Sequence, residues 1–419
     1  MAQDKDLKTP NVPPLRFPGF TDKWKRIKVS ELLDFYSTNS LSWDMLNYDG
    51  GEIKNLHYGL IHSGLPTLVD VSKDSFPFVN EASTPKKYTL CKEGDVAFAD
   101  ASEDTNEVGK VVEFLNTNGE NIISGLHTIH GRDKSDMTVT GFKGYAFSSM
   151  PFHHQIRRIA QGTKIYSIST KTFDEVYIGV PTKDEQAKIA RLLQLLDERI
   201  ATQNKIIDNL QSLIKGLNDK FHEEVQGELV SFSEIGIAYS GLSGKSGDDF
   251  GQGYPFITYL NVYQNNVINE DDFGLVTIAA NESQHTISHG DVLFTLSSET
   301  PDEVGIGSVY LGESDKFYLN SFCFGVSIPN KDRIYPPYLA HLVSSTKFRK
   351  FVYPLAQGST RFNLQKNDFM KKKFILPTIE KQRRIATTLD AINAQLANEK
   401  RLKDLYIAKK EYLLRQIFI

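Results

Sequence analysis

AQGTKIYSI at residues 160–168 returns as AQGSTRFNL at residues 356–364. Reading outward from this pair, Phe173 answers Phe369, Pro181-Thr182 answers Pro377-Thr378, and Gln186, Ile189, Ala190 and Leu193 answer Gln382, Ile385, Ala386 and Leu389. Every pair stands 196 residues apart. The register holds upstream. Gly94-Asp95-Val96 and Phe98 match Gly290-Asp291-Val292 and Phe294, and Ser102-Glu103 and Glu107-Val108-Gly109 match Ser298-Glu299 and Glu303-Val304-Gly305. The chain is a duplicated unit. Between Asn116 and Gly144 almost nothing matches its counterpart, and near the start of each copy the register slips by several residues, as loop insertions would cause. A kept frame around a lost middle suggests two similar scaffolds reading two different ligands.

Each copy has the same order of parts. Short β-like runs such as GDVAFAD (94–100) and GDVLFTL (290–296), broken by Gly, Asn and Asp, read as strands and turns. GVPTKDEQ and ILPTIEKQ, around Pro181 and Pro377, then start helices. Over residues 184–221 apolar side chains fall at Ile189, Leu193, Leu196, Ile200, Ile207, Leu210, Ile214, Leu217 and Phe221, with Gln203 in the one polar slot. Steps alternating four and three make a heptad seam. At ~1.5 Å per residue this helix would be about 57 Å long, too long for a small domain and suited to joining two bodies. A second helix starts near Ile379 in the same seam, at Ile385, Leu389, Ile392 and Leu396, then blurs where Glu399 and Lys403 take seam positions. The two most simply pair antiparallel. Leu192, Leu195, Ile206 and Leu414 are left over and point to further partners on other faces. The expected class is α+β: two β-rich mixed domains, 1–182 and 225–378, separated by long antiparallel coiled-coil helices, 183–224 and 379–419.

With 40% hydrophobic and 24% charged residues the chain reads as globular rather than disordered. No apolar run approaches a membrane span, and MAQDKDLKTPNVPPLRFPGF at the start lacks the apolar segment of a signal peptide. Two cysteines, Cys91 and Cys323, fit a reducing cytoplasm. The net charge of −4 runs against nucleic-acid binding, but its distribution does not. Residues 137–173 hold no acid beside Lys143, Arg157, Arg158, Lys164 and Lys171. Residues 333–379 hold only Asp368 beside Arg333, Lys347, Arg349, Lys350, Arg361, Lys366 and Lys371 to Lys373. Two basic stripes in an acidic chain suit two phosphate-contacting faces; solvated surfaces without a ligand remain the plain alternative.

Three motifs point elsewhere and fail. Gly241-Leu-Ser-Gly-Lys-Ser246 resembles the end of a P-loop, but Tyr239 holds the first glycine's position and a loop follows. Arg333-Ile-Tyr-Pro-Pro-Tyr338 resembles the amine-holding motif of amino-methyltransferases, with Tyr335 where Asp or Asn is needed. His127, His130, His153 and His154 have no metal-ligand spacing, so no metal is expected.

The repeat, the helices and several strings together resemble the specificity (S) subunits of type I restriction–modification systems. The strings are Pro14-Leu-Arg-Phe-Pro-Gly-Phe20 with Trp24, Asp100-Ala-Ser-Glu-Asp104 with Val108-Gly109, Gly241–Ser246 with Asp249-Phe250-Gly251, and Gln186 with Ile189-Ala190 and their copies. The resemblance implies two target-recognition domains related by a pseudo-twofold axis, each reading half of a bipartite site in double-stranded DNA. It implies helices that set the gap and dock methyltransferase (M) subunits, expected to number two, with restriction-motor (R) subunits joining them. This chain would then be non-catalytic, with no cofactor of its own. S-adenosylmethionine, ATP and Mg²⁺ would belong to the partners. A coiled-coil adaptor and a single-chain DNA-modifying enzyme with a specificity-like region are the alternatives.

Candidate DNA contacts are the basic residues before each helix, Arg157, Arg158 and Lys164, then Lys347, Arg349, Lys350 and Arg361. Gln161-Gly162 and Gln357-Gly358 add a donor–acceptor side chain beside permissive backbone, which a plain turn would also explain. His57, Tyr58, Asn261 and Tyr263 sit in comparable early loops. Ile189, Leu193, Leu196, Ile200, Ile207, Leu210, Ile385, Leu389, Ile392 and Leu396 are the candidate coiled-coil and docking residues.

Overall fold

A computed structural model describes residues 11–419, so the first ten residues of the amino-terminal stretch discussed above lie outside it. Two compact units result: residues up to 204 with 401–419, and residues 205–400. Each long helix contributes one part to each unit.

The first unit is built on a five-stranded sheet in the order Leu33–Tyr36, Thr128–Asp133, Val96–Ala99, Val111–Asn116, Leu68–Asp70. The second repeats the first four places with Ile237–Ser240, Cys323–Ser327, Val292–Thr295 and Gly307–Val309. The Gly-Asp pair before the third strand works identically in both. Asp95 accepts the Lys92 N–H (2.8 Å) and Asp291 the Ser288 N–H (3.0 Å), turning the chain into a fully buried strand. Further strands form a separate four-stranded sheet in the first unit and a three-stranded one in the second. Part of the divergent sequence, including Ile122–Ser124, lies there, while Thr128–Asp133 of the same stretch stays in the main sheet.

One face of each main sheet is covered by helices. In the first unit Phe98, Phe142, Phe147, Phe152 and Phe173 pack with Ile189, Leu193 and Leu196 of the central helix (Lys183–Glu223) and with Leu413 and Ile417 at the end of the carboxy-terminal helix (Ile379–Gln416). In the second, Phe294, Tyr338, Phe348 and Phe369 pack with Ile385, Ala386 and Leu389, against which Leu217 and Phe221 close. Along the seam Ile207 is buried, while Ile200, Leu210, Ile392 and Leu396 are half-buried. Leu192 and Leu414, expected to serve further partners, instead pack against the first unit's core; Leu195 and Ile206 stay exposed. In the blurred stretch Leu402 and Leu405 are exposed, while Tyr406 packs on the first core.

The duplicated glutamine has a duplicated task. Buried Gln186 accepts the Val139 N–H (2.9 Å) and donates to the Met137 and Pro181 carbonyls; buried Gln382 accepts the Tyr335 N–H (2.9 Å) and donates to those of Arg333 and Pro377. Each clasp ties the start of a long helix to its own unit through backbone groups that burial would otherwise leave unpaired. Among the described residues no helix is long and apolar enough to cross a membrane.

Candidate nucleic-acid interface

The strings that opened the reading are two hairpins. Gln161 and Ser167 exchange backbone hydrogen bonds (3.0 and 2.8 Å), and Gln357 pairs with Asn363 in the copy. At the turn, Gly162 has φ +132° and Gly358 φ +144°; a Cβ there would run into the carbonyl oxygen of Ile165 or Arg361 at 1.8 or 2.1 Å. Glycine is therefore required by the turn itself. Each hairpin pairs with a short strand, Ala101–Ser102 in the first unit and Ser297–Ser298 in the second.

A short helix stands nearby in each unit, Tyr58–Ser63 and Tyr259–Gln264. Its inner side chains, Ile61 and Val262, join the cores that hold Ala97 and Leu293 of the equivalent strands. This matches Tyr58 with Tyr259 and His62 with Tyr263, a correspondence hidden by the slipped register. In both units the second of these residues meets the repeated glutamate. His62 lies 3.5 Å from Glu107, and the Tyr263 hydroxyl donates to Glu303 at 2.6 Å. Burial pushes the Glu107 pKa up, but Lys110 and His62 outweigh it and hold the carboxyl below its ordinary value. Hydrogen bonds from Tyr263 and Ser298 do the same for Glu303. Tyr259, Tyr263, Glu299, Glu303, Thr360 and Arg361 line a cleft of about 830 Å³ in the second unit. A cleft of about 630 Å³ in the first is lined by Asn39, Tyr88, Asp100, Ser124 and His127 among others.

The loop between these parts is held by arginine in each copy, one helical turn apart. Arg157 donates to Asn106 (3.0 Å), and Arg349 donates to the carbonyls of Asp302, Val304 and Gly305 at 2.7–2.8 Å.

These features bring exposed cations, amide side chains and aromatic faces together around glycine-dependent turns. The family model for the type I restriction modification DNA specificity domain matches residues 21–212 and again 234–405. The chain belongs to that family. The type I restriction enzyme MjaVIII specificity subunit of Methanocaldococcus jannaschii is 25% identical over 62% of this chain and 65% of its own length. The fold is shared with a type I restriction-modification system S subunit from M. genitalium (TM-score 0.55, 15% identity, 97% of this chain and 99% of that one). It is also shared with a chain of a type I R-M system solved for complex assembly and conformational transition (TM-score 0.57, 16% identity, 97% and 98%).

Within this specificity chain the expected contact residues divide. Arg158, Gln161, Gly162, Lys164, Lys350, Gln357, Gly358 and Arg361 are exposed, and Arg157 and Tyr58 partly so. Three others are corrected. Asn261 is buried, its amide donating to the Asn269 and Asp272 carbonyls and accepting from Asn265 and the Asn269 N–H, so it has nothing left to offer a base. His57 is buried against Trp43 and caps its short helix by accepting the Gly59 N–H at 3.1 Å. Burial pushes its pKa down. Arg349 is committed to the loop it clamps. Lys347 stays exposed, with one of its three donors on the His222 carbonyl (2.8 Å) near the end of the central helix. Tyr263 stays in the cleft wall but is held by Glu303. Lys143 also leaves the basic stripe, being buried beside Glu113.

The rejected motifs have structural tasks. Lys245 pairs with Glu282 at 2.5 Å and donates to the Thr277 carbonyl, so it is engaged by protein rather than poised for phosphate. Pro336 and Pro337 open the helix Pro336–Ser344, as proline does in a first turn. His130 pairs with Asp95 at 2.7 Å inside the first core.

Two exposed residues, His127 and Phe322, were not among the expected contacts. Strand pairing sets Thr128 opposite Ala99 and Cys323 opposite Thr295, which makes His127 the counterpart of Phe322. The separation here is 195 residues rather than 196, and that one-residue slip hid the match.

Proposed function

We propose that this chain is the DNA-recognition subunit of a type I restriction–modification complex, with no chemistry of its own. The observation that carries the reading is the twofold match to a DNA specificity family, on two units that offer the same hairpin and short helix with different side chains. Each unit reads one half of a split site in double-stranded DNA. Arg158, Lys164, Lys350 and Arg361 supply charge for phosphates or base edges, and Gln161 and Gln357 supply amides that can donate and accept together. The long helices fix the gap between the halves. Their exposed apolar residues, Leu195, Ile206, Leu213 and Leu405, receive methyltransferase subunits, which restriction-motor subunits join. S-adenosylmethionine, ATP and Mg²⁺ act on those partners.

The test is co-expression with the partner methyltransferase subunit in a host without DNA methylation, followed by genome-wide mapping of modified bases. A split motif marked only when both chains are present is the expected result. Modification by this chain alone would make it an enzyme. No mark from the pair would favour a coiled-coil adaptor.

A further inference from the structure

The two hairpins present their tips on matched backbone. In each, glutamine opens the hairpin, glycine takes the same strained turn, and the third residue after the glycine supplies the carbonyl oxygen that excludes a Cβ. That residue is Ile165 in the first unit and Arg361 in the second. Ile165 is 59% exposed, so its branched side chain is held out of the core and is available to a partner. Arg361 is exposed with its guanidinium 5.3 Å from the ring of Phe322, itself 52% exposed. The ring can stiffen the arginine without using its hydrogen-bond donors. Among the described residues no carboxylate pairs with Arg361, whereas Arg333, on the same basic stripe, is neutralised by Glu228 at 2.7 Å.

A tip with fixed backbone and a changed side chain is where two scaffolds of one ancestry would come to differ in what they read. The side chains match two different base edges. A guanidinium donates in a fork to O6 and N7 of guanine, and a branched aliphatic group packs on the thymine methyl. We propose that this position is a specificity determinant in each half-site: Arg361 selects guanine for the second unit, and Ile165 selects thymine for the first. The proposal rests on the recognition reading given above.

The test uses the complex with its methyltransferase subunit and a panel of duplexes carrying every single-base change in the mapped site. Arg361→Ile should abolish discrimination at one guanine of one half-site, reducing a preference of roughly ten- to a hundredfold to about one. Ile165→Arg should shift one position of the other half from thymine toward guanine. The remaining positions and the gap should not move. Equal weakening on every duplex, with a salt dependence shallower by about one ion, would make these phosphate contacts and overturn the proposal. Unchanged preferences would overturn it too. If the unaltered complex shows no split preference at all, the recognition reading itself fails; a split preference insensitive to both substitutions sinks the tip alone.

Discussion

Lys143 and Glu113 form an ion pair inside the first unit, 3.3 Å apart, both essentially without solvent contact. Burial raises the Glu113 pKa, against the pull of Lys143 and of the Gly144 N–H that it accepts at 2.7 Å. The second unit has solved the same position differently. Pairing of Val96 with Glu113 and of Val292 with Val309 identifies Val309 as the counterpart of the acid, and Leu339 stands 196 residues after the lysine. A buried ion pair in one copy is therefore a pair of buried aliphatics in the other. Removing one charge strands its partner, so Lys143→Leu alone should cost about 3–5 kcal/mol in urea unfolding. Glu113→Val with Lys143→Leu should restore most or all of that loss; a double variant as unstable as the single would show that the copies are not interchangeable here. The sequence placed Lys143 on a basic surface because charge is visible in a string of letters and burial is not. Asn261, His57 and Arg349 were misplaced for the same reason, since a cap, a turn-filling amide and a loop clamp depend on how the backbone folds around the side chain, which a string of letters does not show. His222 shows how burial acts on stability. It stacks on Tyr338 with ring centroids 5.4 Å apart and donates from Nδ1 to the Asn218 carbonyl at 2.8 Å; burial pushes its pKa from 6.5 down to about 4. The folded chain then refuses a proton that the unfolded chain accepts. Stability is held above about pH 6.5 and lost as pH falls toward 4, by up to about 3 kcal/mol. His222→Phe, which keeps the stacking, should flatten that decline; an unchanged pH profile would mean that other groups, such as the half-buried His153, dominate it.

At the level of elements, legibility follows length and period. The two long helices were readable because many seam residues repeat one spacing, and they run from Lys183 to Glu223 and from Ile379 to Gln416. Strands such as Val96–Ala99 and Val292–Thr295 were readable from short apolar runs behind Gly-Asp turns. The short helices Tyr58–Ser63 and Tyr259–Gln264 were not, because six residues show less than two turns of any period. Their equivalence emerges only when Ile61 and Val262 are seen against the matching strands. The hairpins stand between these cases. Their repetition was the plainest feature of the sequence, yet the reason for their glycines lies in a carbonyl oxygen three residues further on. The seam's irregular half also has a local cause: Lys410 pairs with Asp197 at 2.5 Å and lies over the Tyr145 ring, so charge does part of the work that leucine does earlier.

For the whole molecule, the proposed function rests on duplication, since one chain carries two copies of a DNA specificity domain. On the proposed function, two units on one chain would bring two half-sites under one binding event, with the gap set by the helices that join them. Four residues inserted into each long helix, after Asn204 and after Lys400, where the units divide, would add about 6 Å of rise and about 40° of rotation. One base pair of B-DNA adds ~3.4 Å and about 35°. Mapping modified bases for this variant beside the unaltered chain is the most direct measurement. The expected result is two unchanged half-site sequences with a gap longer by about one or two base pairs. A motif with unaltered spacing, or half-sites that change while the gap stays fixed, would contradict the reading of two recognition units held apart by helices.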